Sequence, residues 1–179
     1  IEVPMGITLR EVVNIYAQGM KGNHTFKLAQ TGGSSGNIIP ASLQDTPMDF
    51  ESFSKAGVSL GSGAMLICNE ETCVVDLAKA LITFFRNESC GKCSPCRIGT
   101  QRSYEILDRI SRGEGELDDL DTLVHLANSM YTVSNCGLGQ TAGTPIKDIL
   151  KYFKDEVEAH IRDGVCPAGV CKIKQAVKI

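Results

Sequence analysis

Glu88-Ser89-Cys90-Gly91-Lys92-Cys93-Ser94-Pro95-Cys96-Arg97 is the stretch on which the reading of this chain turns. Three thiols recur at every third position. That is too tight for a ladder of disulfides and suits a metal site, where thiolates converge on one centre. Gly91 eases the tight backbone, and Pro95 opens a helix that carries Cys96 in its first turn. The unpaired N–H groups of such a helix start offset negative charge, and Lys92 and Arg97 add positive charge nearby. The fourth ligand has to come from elsewhere. Cys136, in Asn135-Cys136-Gly137-Leu138-Gly139, lies 40 residues beyond Cys96. It falls in the loop between the third and fourth of four predicted helices, and an up-down bundle returns that loop to the end holding the triad. A zinc knuckle favours two Cys-x2-Cys pairs, whereas a compact triad with a remote partner is an iron–sulfur habit. The spacing therefore predicts Cys90, Cys93, Cys96 and Cys136 as ligands of a 4Fe–4S cluster, with a four-cysteine zinc site as the alternative. It differs from the bacterial ferredoxin run, whose fourth Cys follows after three residues.

Outward from the triad, residues 71–163 follow a helical period. Thr72 is the predicted cap of a helix carrying Val75, Leu77, Ala78, Leu81, Ile82 and Phe85. A second runs from Pro95 to Gly113 with Ile98, Tyr104, Ile106, Leu107 and Ile110 on its stripe. A third begins near Glu116, with Asp118 and Asp119 suited to its dipole, and carries Leu120, Leu123, Val124, Ala127 and Met130. The fourth opens with Thr144 as cap and Pro145 as first residue, and continues through Ile146, Ile149, Leu150, Phe153, Val157 and Ile161. A four-helix bundle is the economical fold for these elements.

Residues 1–70 read as a small α+β unit, which makes the whole chain α+β. Ile1–Val3 resembles the tail of a strand. Thr8 and Glu11 form a capping box for a helix with Leu9, Val12, Val13 and Tyr16 on one face. Strands are predicted over 25–30 and 64–68, and Asp49 caps a short helix through Phe50 and Phe53. Thr31-Gly32-Gly33-Ser34-Ser35-Gly36 is a glycine-rich turn. It lacks the strand–Gly-x-Gly-x-x-Gly–helix context of a dinucleotide loop.

Composition narrows the function classes. The 179 residues carry a formal net charge of −3, no Trp and 6% aromatics. No dense basic run or stacking platform invites nucleic acid. No apolar run reaches the ~18–20 residues of a membrane span, and the N-terminus is not signal-like. A reducing cytoplasm is the expectation, where eight cysteines serve metals or redox chemistry more readily than disulfides. Cys166 and Cys171, in a tail over 164–179, follow His160 closely, and Cys73 is the best remote partner for them. Cys73, His160, Cys166 and Cys171 are thus a candidate tetrahedral zinc site. The alternatives are buried free thiols with His160 on a solvated helix end, or a second cluster completed by a following ferredoxin domain. Cys68 reads as a core thiol, His24 and His125 as solvated or packing residues, and no nucleophile–base arrangement has supporting context.

The motifs at 88–97 and 136–139, with Gln30-Thr31-Gly32-Gly33 and Leu60-Gly61-Ser62-Gly63, resemble the C-terminal part of the NADH- and flavin-binding subunit of respiratory complex I. They are more similar still to the matching subunit of NAD(P)-linked, electron-bifurcating iron hydrogenases. The resemblance spans nearly the whole chain. It implies that Cys90, Cys93, Cys96 and Cys136 hold one 4Fe–4S cluster that exchanges single electrons with FMN. It also implies that 1–70 is a soluble-ligand-binding β-grasp-like domain and that Leu138 and Gly139 face the flavin edge. The family's FMN and NAD(P) loops lie upstream of residue 1, so no stand-alone activity is expected. The implied partners are other subunits of an oxidoreductase complex, among them a thioredoxin-like 2Fe–2S subunit and a ferredoxin-domain-bearing subunit. The hydrogenase branch looks similar at the zinc-type quartet, where complex I subunits usually differ. A structural zinc-binding interaction module without a redox role is the competing expectation.

Overall fold

The computed structural model describes residues 1–173, so the last residues of the predicted 164–179 tail lie outside the described residues. Two compact units meet in sequence at Glu70 and Glu71.

The first unit begins as its capping box dictates. The Thr8 side chain accepts from the Glu11 N–H, and the Glu11 carboxylate accepts from the Thr8 N–H at 2.8 Å. Helix α1 (Leu9–Glu11) then widens into a π-turn over Val12–Tyr16, closed by the Ala17 N–H on the Val12 carbonyl at 3.0 Å. This wider turn rotates Tyr16 off the buried stripe, and the side chain expected in the core is exposed. Three antiparallel strands follow, β1 (Phe26–Thr31), β2 (Ile38–Pro40) and β3 (Met65–Asn69), in the order β2-β1-β3. Strand β2 has no counterpart in the sequence reading, because three residues are too few for alternation to register. Conversely, residues 1–3 join no strand, and Ile1 is 89% exposed. The glycine-rich turn links β1 to its antiparallel neighbour β2 and leads into no helix. A Cβ on Gly36 would fall 1.3 Å from the Thr31 carbonyl oxygen, so the turn admits only glycine there. Helix α2 (Phe50–Lys55) starts at Asp49, whose carboxylate accepts from the Ser52 N–H at 2.7 Å. Leu9, Val12, Val13, Ala29, Ile39, Met48, Phe53 and Val58 form the core of this unit.

The second unit is helical: α3 (Val74–Glu88), α4 (Ser94–Ser111), α5 (Asp118–Val133), α6 (Gly137–Thr141), α7 (Thr144–Tyr152) and α8 (Lys154–Arg162). Among the described residues, six helices stand where four were predicted. The expected fourth helix breaks at Phe153, which leaves helical geometry at φ −132° and ψ 28°. The break lets α8 turn against α3 and α4, carrying Val157 and His160 inside. Short α6 escapes detection because Gly137-Leu138-Gly139 is a poor helix sequence in isolation. Helix α3 starts one residue later than predicted, with Cys73 rather than Thr72 at its cap position. Ile98 is a further correction: it is 51% exposed, because α4 turns Cys96, Gly99, Thr100 and Ser103 inward instead. Those small residues let α5 approach closely, and a Cβ on Gly99 would lie 2.6 Å from Met130 Cγ. Among the described residues, no helix is long and apolar enough to cross a membrane.

Candidate metal centres

Helix starts position most of the metal-type side chains. Cys93 occupies the cap position of α4, Cys136 that of α6 and Cys73 that of α3, and none of the three side chains caps its own helix. Ser, Thr, Asp or Asn would be the stabilising choice at such positions. A cysteine sulfur is only a weak acceptor for backbone N–H groups, which leaves it available to bind something else.

At the first centre, Cys96 sits in the opening turn of α4 and is buried, Cys93 is partly buried, and Cys90 and Cys136 are exposed. Burial pushes the Cys96 thiol upward, and Cys93, Cys136 and Cys90 each push it further by charge repulsion. One sulfur therefore senses the other three, although they come from separate places in the chain. Cys93 is shifted the other way. The Asn135 backbone N–H holds its thiol low, and the Cys96 N–H and the Ser134 side chain add to this.

The loop is braced from both sides. Gly91, at φ +73°, makes the turn between Cys90 and Cys93, and its carbonyl accepts from Arg97 Nη1 at 2.6 Å. Ser89 Oγ lies 3.3 Å from Cys96 Sγ and accepts from the Gly91 N–H at 3.2 Å. Gln140 Nε2 donates to the Ser134 carbonyl at 3.1 Å, tying the Cys136 turn to α6. Gly139 is buried where a Cβ would lie 2.5 Å from Ser134 Oγ and 2.9 Å from Cys96 Cβ. The glycine thus lets the Cys136 turn touch the turn that carries Cys96, while Leu138 beside it is half-buried. Among the described residues the buried Ser134 hydroxyl has no partner at ordinary hydrogen-bond distance, and the acceptor it faces is the Cys93 sulfur. A thiolate-rich wall with backbone N–H groups, nearby cations and one such donor fits an anionic iron–sulfur cluster. Neither serine stood out in the sequence, because Ser beside Cys is common and its role depends on a contact seven residues away.

At the second centre, the ligand atoms of Cys73, His160, Cys166 and Cys171 all lie within 4.8 Å of one another. Cys73 Sγ is 3.3 Å from His160 Nε2 and 3.5 Å from Cys171 Sγ. The Cys171 N–H points at Cys166 Sγ at 3.4 Å. His160 is fully buried, and its Nδ1 donates to the Glu156 carbonyl at 2.7 Å. That bond fixes the tautomer and turns the Nε2 lone pair toward the sulfurs, the usual orientation of a metal-binding imidazole. Burial first, and then the charge of Cys73, drive the Cys171 thiol strongly upward. Without a cation, these sulfurs are crowded against one another.

The remaining candidates are simpler. Cys68 is buried in β3. His24 faces Glu70, its Nδ1 3.0 Å from the carboxylate, and His125 is exposed on α5.

Comparison with known proteins places these centres in context. Residues 76–160 match the NADH-ubiquinone oxidoreductase-F iron-sulfur binding region, a span that includes Cys90, Cys93, Cys96, Cys136 and His160. The chain is 46% identical over 171 residues to the HndC subunit of the NADP-reducing hydrogenase of Solidesulfovibrio fructosivorans, covering 96% of this chain and 35% of that protein. It is 40% identical over 166 residues to the F subunit of the NADH-quinone oxidoreductase of Mycobacterium tuberculosis, covering 93% and 37%. It also superimposes on a crystal structure of an NAD+-reducing [NiFe]-hydrogenase in the H2-reduced state with a TM-score of 0.79 and 31% identity. That match covers 89% of this chain and 27% of the other. The chain therefore spans little more than a third of the length of these curated relatives.

Proposed function

We propose that Cys90, Cys93, Cys96 and Cys136 hold one 4Fe–4S cluster in an electron-transfer module, a reading supported by the match of residues 76–160 to an NADH-ubiquinone oxidoreductase-F iron-sulfur binding region. When bound, such a cluster supplies one-electron chemistry, so a two-electron carrier such as a flavin can be discharged in single steps. The chain's own residues hold and tune it. Cys93 stands at the start of α4, where the Asn135 backbone N–H holds its thiol low. The N–H groups at the start of α4, with Lys92 and Arg97, offset the negative charge of four thiolates. Cys96 closes the protein side against water, while Cys90 and Cys136 leave the opposite side open to an electron partner. The observation that carries this reading is geometric: the turn that follows Cys136 packs on the start of α4, where a Cβ on Gly139 would lie 2.9 Å from Cys96 Cβ.

The wider setting rests on the relatives. The module works inside a cytoplasmic, multi-subunit NAD(P)H-linked oxidoreductase of NADH dehydrogenase or hydrogenase type. FMN and NAD(P) are bound by the remaining part of such a protein. A thioredoxin-like 2Fe–2S subunit and a ferredoxin-domain subunit are its redox neighbours. Leu138, next to exposed Gly137, is the residue that meets the flavin-bearing part, with buried Gly139 supporting it from behind. The helices act as the family's bundle, and the first unit as its soluble-ligand-binding β-grasp.

A second, structural role belongs to Cys73, His160, Cys166 and Cys171, which hold one zinc ion. Zinc–sulfur bonds of ~2.3 Å set tetrahedral ligands about 3.7 Å apart, and the 3.3 and 3.5 Å separations match that scale. A cluster of four irons would need its ligands more widely spread.

Anaerobic reconstitution tests both assignments. A brown protein with about four irons, one zinc and a reducible EPR signal is expected. A colourless protein retaining only zinc would leave a structural module without redox function.

A further inference from the structure

We infer that Ser89 is a positioning residue that sets the reduction potential of the bound cluster by donating a hydrogen bond to the sulfur of Cys96. The inference rests on the ligand assignment proposed above and goes beyond it. Ser89 ends α3 with extended backbone, φ −64° and ψ 126°, and its side chain crosses to the first turn of α4. Its Oγ is 3.3 Å from Cys96 Sγ.

The direction of that bond follows from two facts. Ser89 Oγ already accepts from the Gly91 N–H at 3.2 Å, so one lone pair is engaged and its proton remains to be placed. A ligating cysteine is a thiolate and has no proton to give. Ser89 therefore donates and Cys96 accepts.

Position makes the bond count. Cys96 is 4% exposed, whereas Cys90 and Cys136 face solvent, where water competes for their sulfurs. A hydrogen bond to a sheltered, charged acceptor is stronger than a neutral one and is not replaced by water when removed. Reduction adds an electron to the cluster and its sulfurs. A donor at a ligand sulfur thus stabilises the reduced state more than the oxidised one and raises the potential.

The experiment is an EPR-monitored redox titration of the anaerobically reconstituted chain and its Ser89→Ala and Ser89→Thr variants, with iron counted in each. Ser89→Ala is expected to keep full iron and to shift the midpoint more negative. Roughly a tenfold weaker reduction equilibrium corresponds to about 59 mV for a one-electron couple. Ser89→Thr, which keeps the hydroxyl, is expected to restore the wild-type midpoint. An Ala variant with full iron and an unmoved midpoint would overturn the inference. Loss of iron in Ser89→Ala alone would also overturn it, by making Ser89 a builder of the site rather than its tuner. Proton ENDOR of the reduced wild-type cluster, in water and in D2O, is an independent check. An exchangeable proton that Ser89→Ala removes is expected, and its absence in the wild type would contradict the inference without any variant having to fold. Absence of iron from the wild-type chain would instead defeat the ligand assignment itself.

Discussion

Cysteine at the cap position of a helix is a weaker acceptor than Ser, Thr, Asp or Asn, and this chain accepts that loss at Cys73, Cys93 and Cys136. At the residue scale, that loss makes sense only where sulfur binds something that oxygen does not. Cys93→Ser is therefore expected to abolish cluster uptake while leaving a one-to-one zinc content, read by iron and zinc analysis on the same sample. Unchanged iron would remove Cys93 from the ligand set. Away from the metals, Glu70 provides a pH handle. Its own backbone N–H, then His24, and then the Thr25 hydroxyl and N–H hold its carboxylate at about 2. The unfolded value is ~4.3, so the folded pKa is depressed. The stabilisation is then fully present above that unfolded value and is lost as pH falls toward about 2. Hydrogen exchange in β1 and β3, corrected for intrinsic rates, is expected to lose protection across that window in the wild type. In Glu70→Gln the same window is expected to be nearly flat; an identical acid limb would show that Glu70 does not brace the β1–β3 pairing.

At the scale of elements, two glycines decide how closely cysteine-bearing turns and helices approach. Gly139 lets the Cys136 turn lie against Cys96 and Ser134, and Gly99 lets α4 lie against Met130 of α5. Overpacking of this kind costs ~1–3 kcal/mol. Gly139→Ala is expected to cost more cluster occupancy than stability, because it separates ligands. Gly99→Ala is expected to lower the melting temperature with less effect on iron, since the flexible Met130 side chain can yield. Equal iron loss in both variants would contradict this division. The same elements explain what the sequence carried openly. The Thr8–Glu11 capping box, the Asp49 cap, strands β1 and β3 and helices α3 to α5 follow from strong local signals. Strand β2, short α6 and the break at Phe153 do not, because tertiary packing outweighs propensity there. The Cys90–Cys96 triad stands out in the sequence because its thiols are close together along the chain. Ser89, Ser134 and the Gly139 packing do not, since their meaning comes from contacts made across the fold. Ile98 misled because apolar character alone does not choose a face when the inner face is built of small residues.

At the scale of the whole molecule, the chain forms two compact units and places both candidate metal centres in the second. The zinc-type quartet joins the start of α3, the end of α8 and the segment that follows. Beyond Cys171, Ile173 packs on the turn after α4, where a Cβ on Gly113 would lie 2.5 Å from Ile173 Cγ2. Chelation of zinc under anaerobic conditions is therefore expected to raise hydrogen exchange in residues 164–173 and to lower the melting temperature. The visible absorbance of the cluster should persist. Parallel loss of both metals would mean that the two centres are not separable.

The most direct test of the central claim is the Mössbauer spectrum of 57Fe-reconstituted protein, wild type beside Cys136→Ser. The account predicts a four-iron cluster with all-thiolate ligation in the wild type. In the variant it predicts loss of the cluster or its conversion to a three-iron or oxygen-ligated form. An identical four-iron, all-thiolate spectrum in both proteins would show that Cys136 is not the fourth ligand.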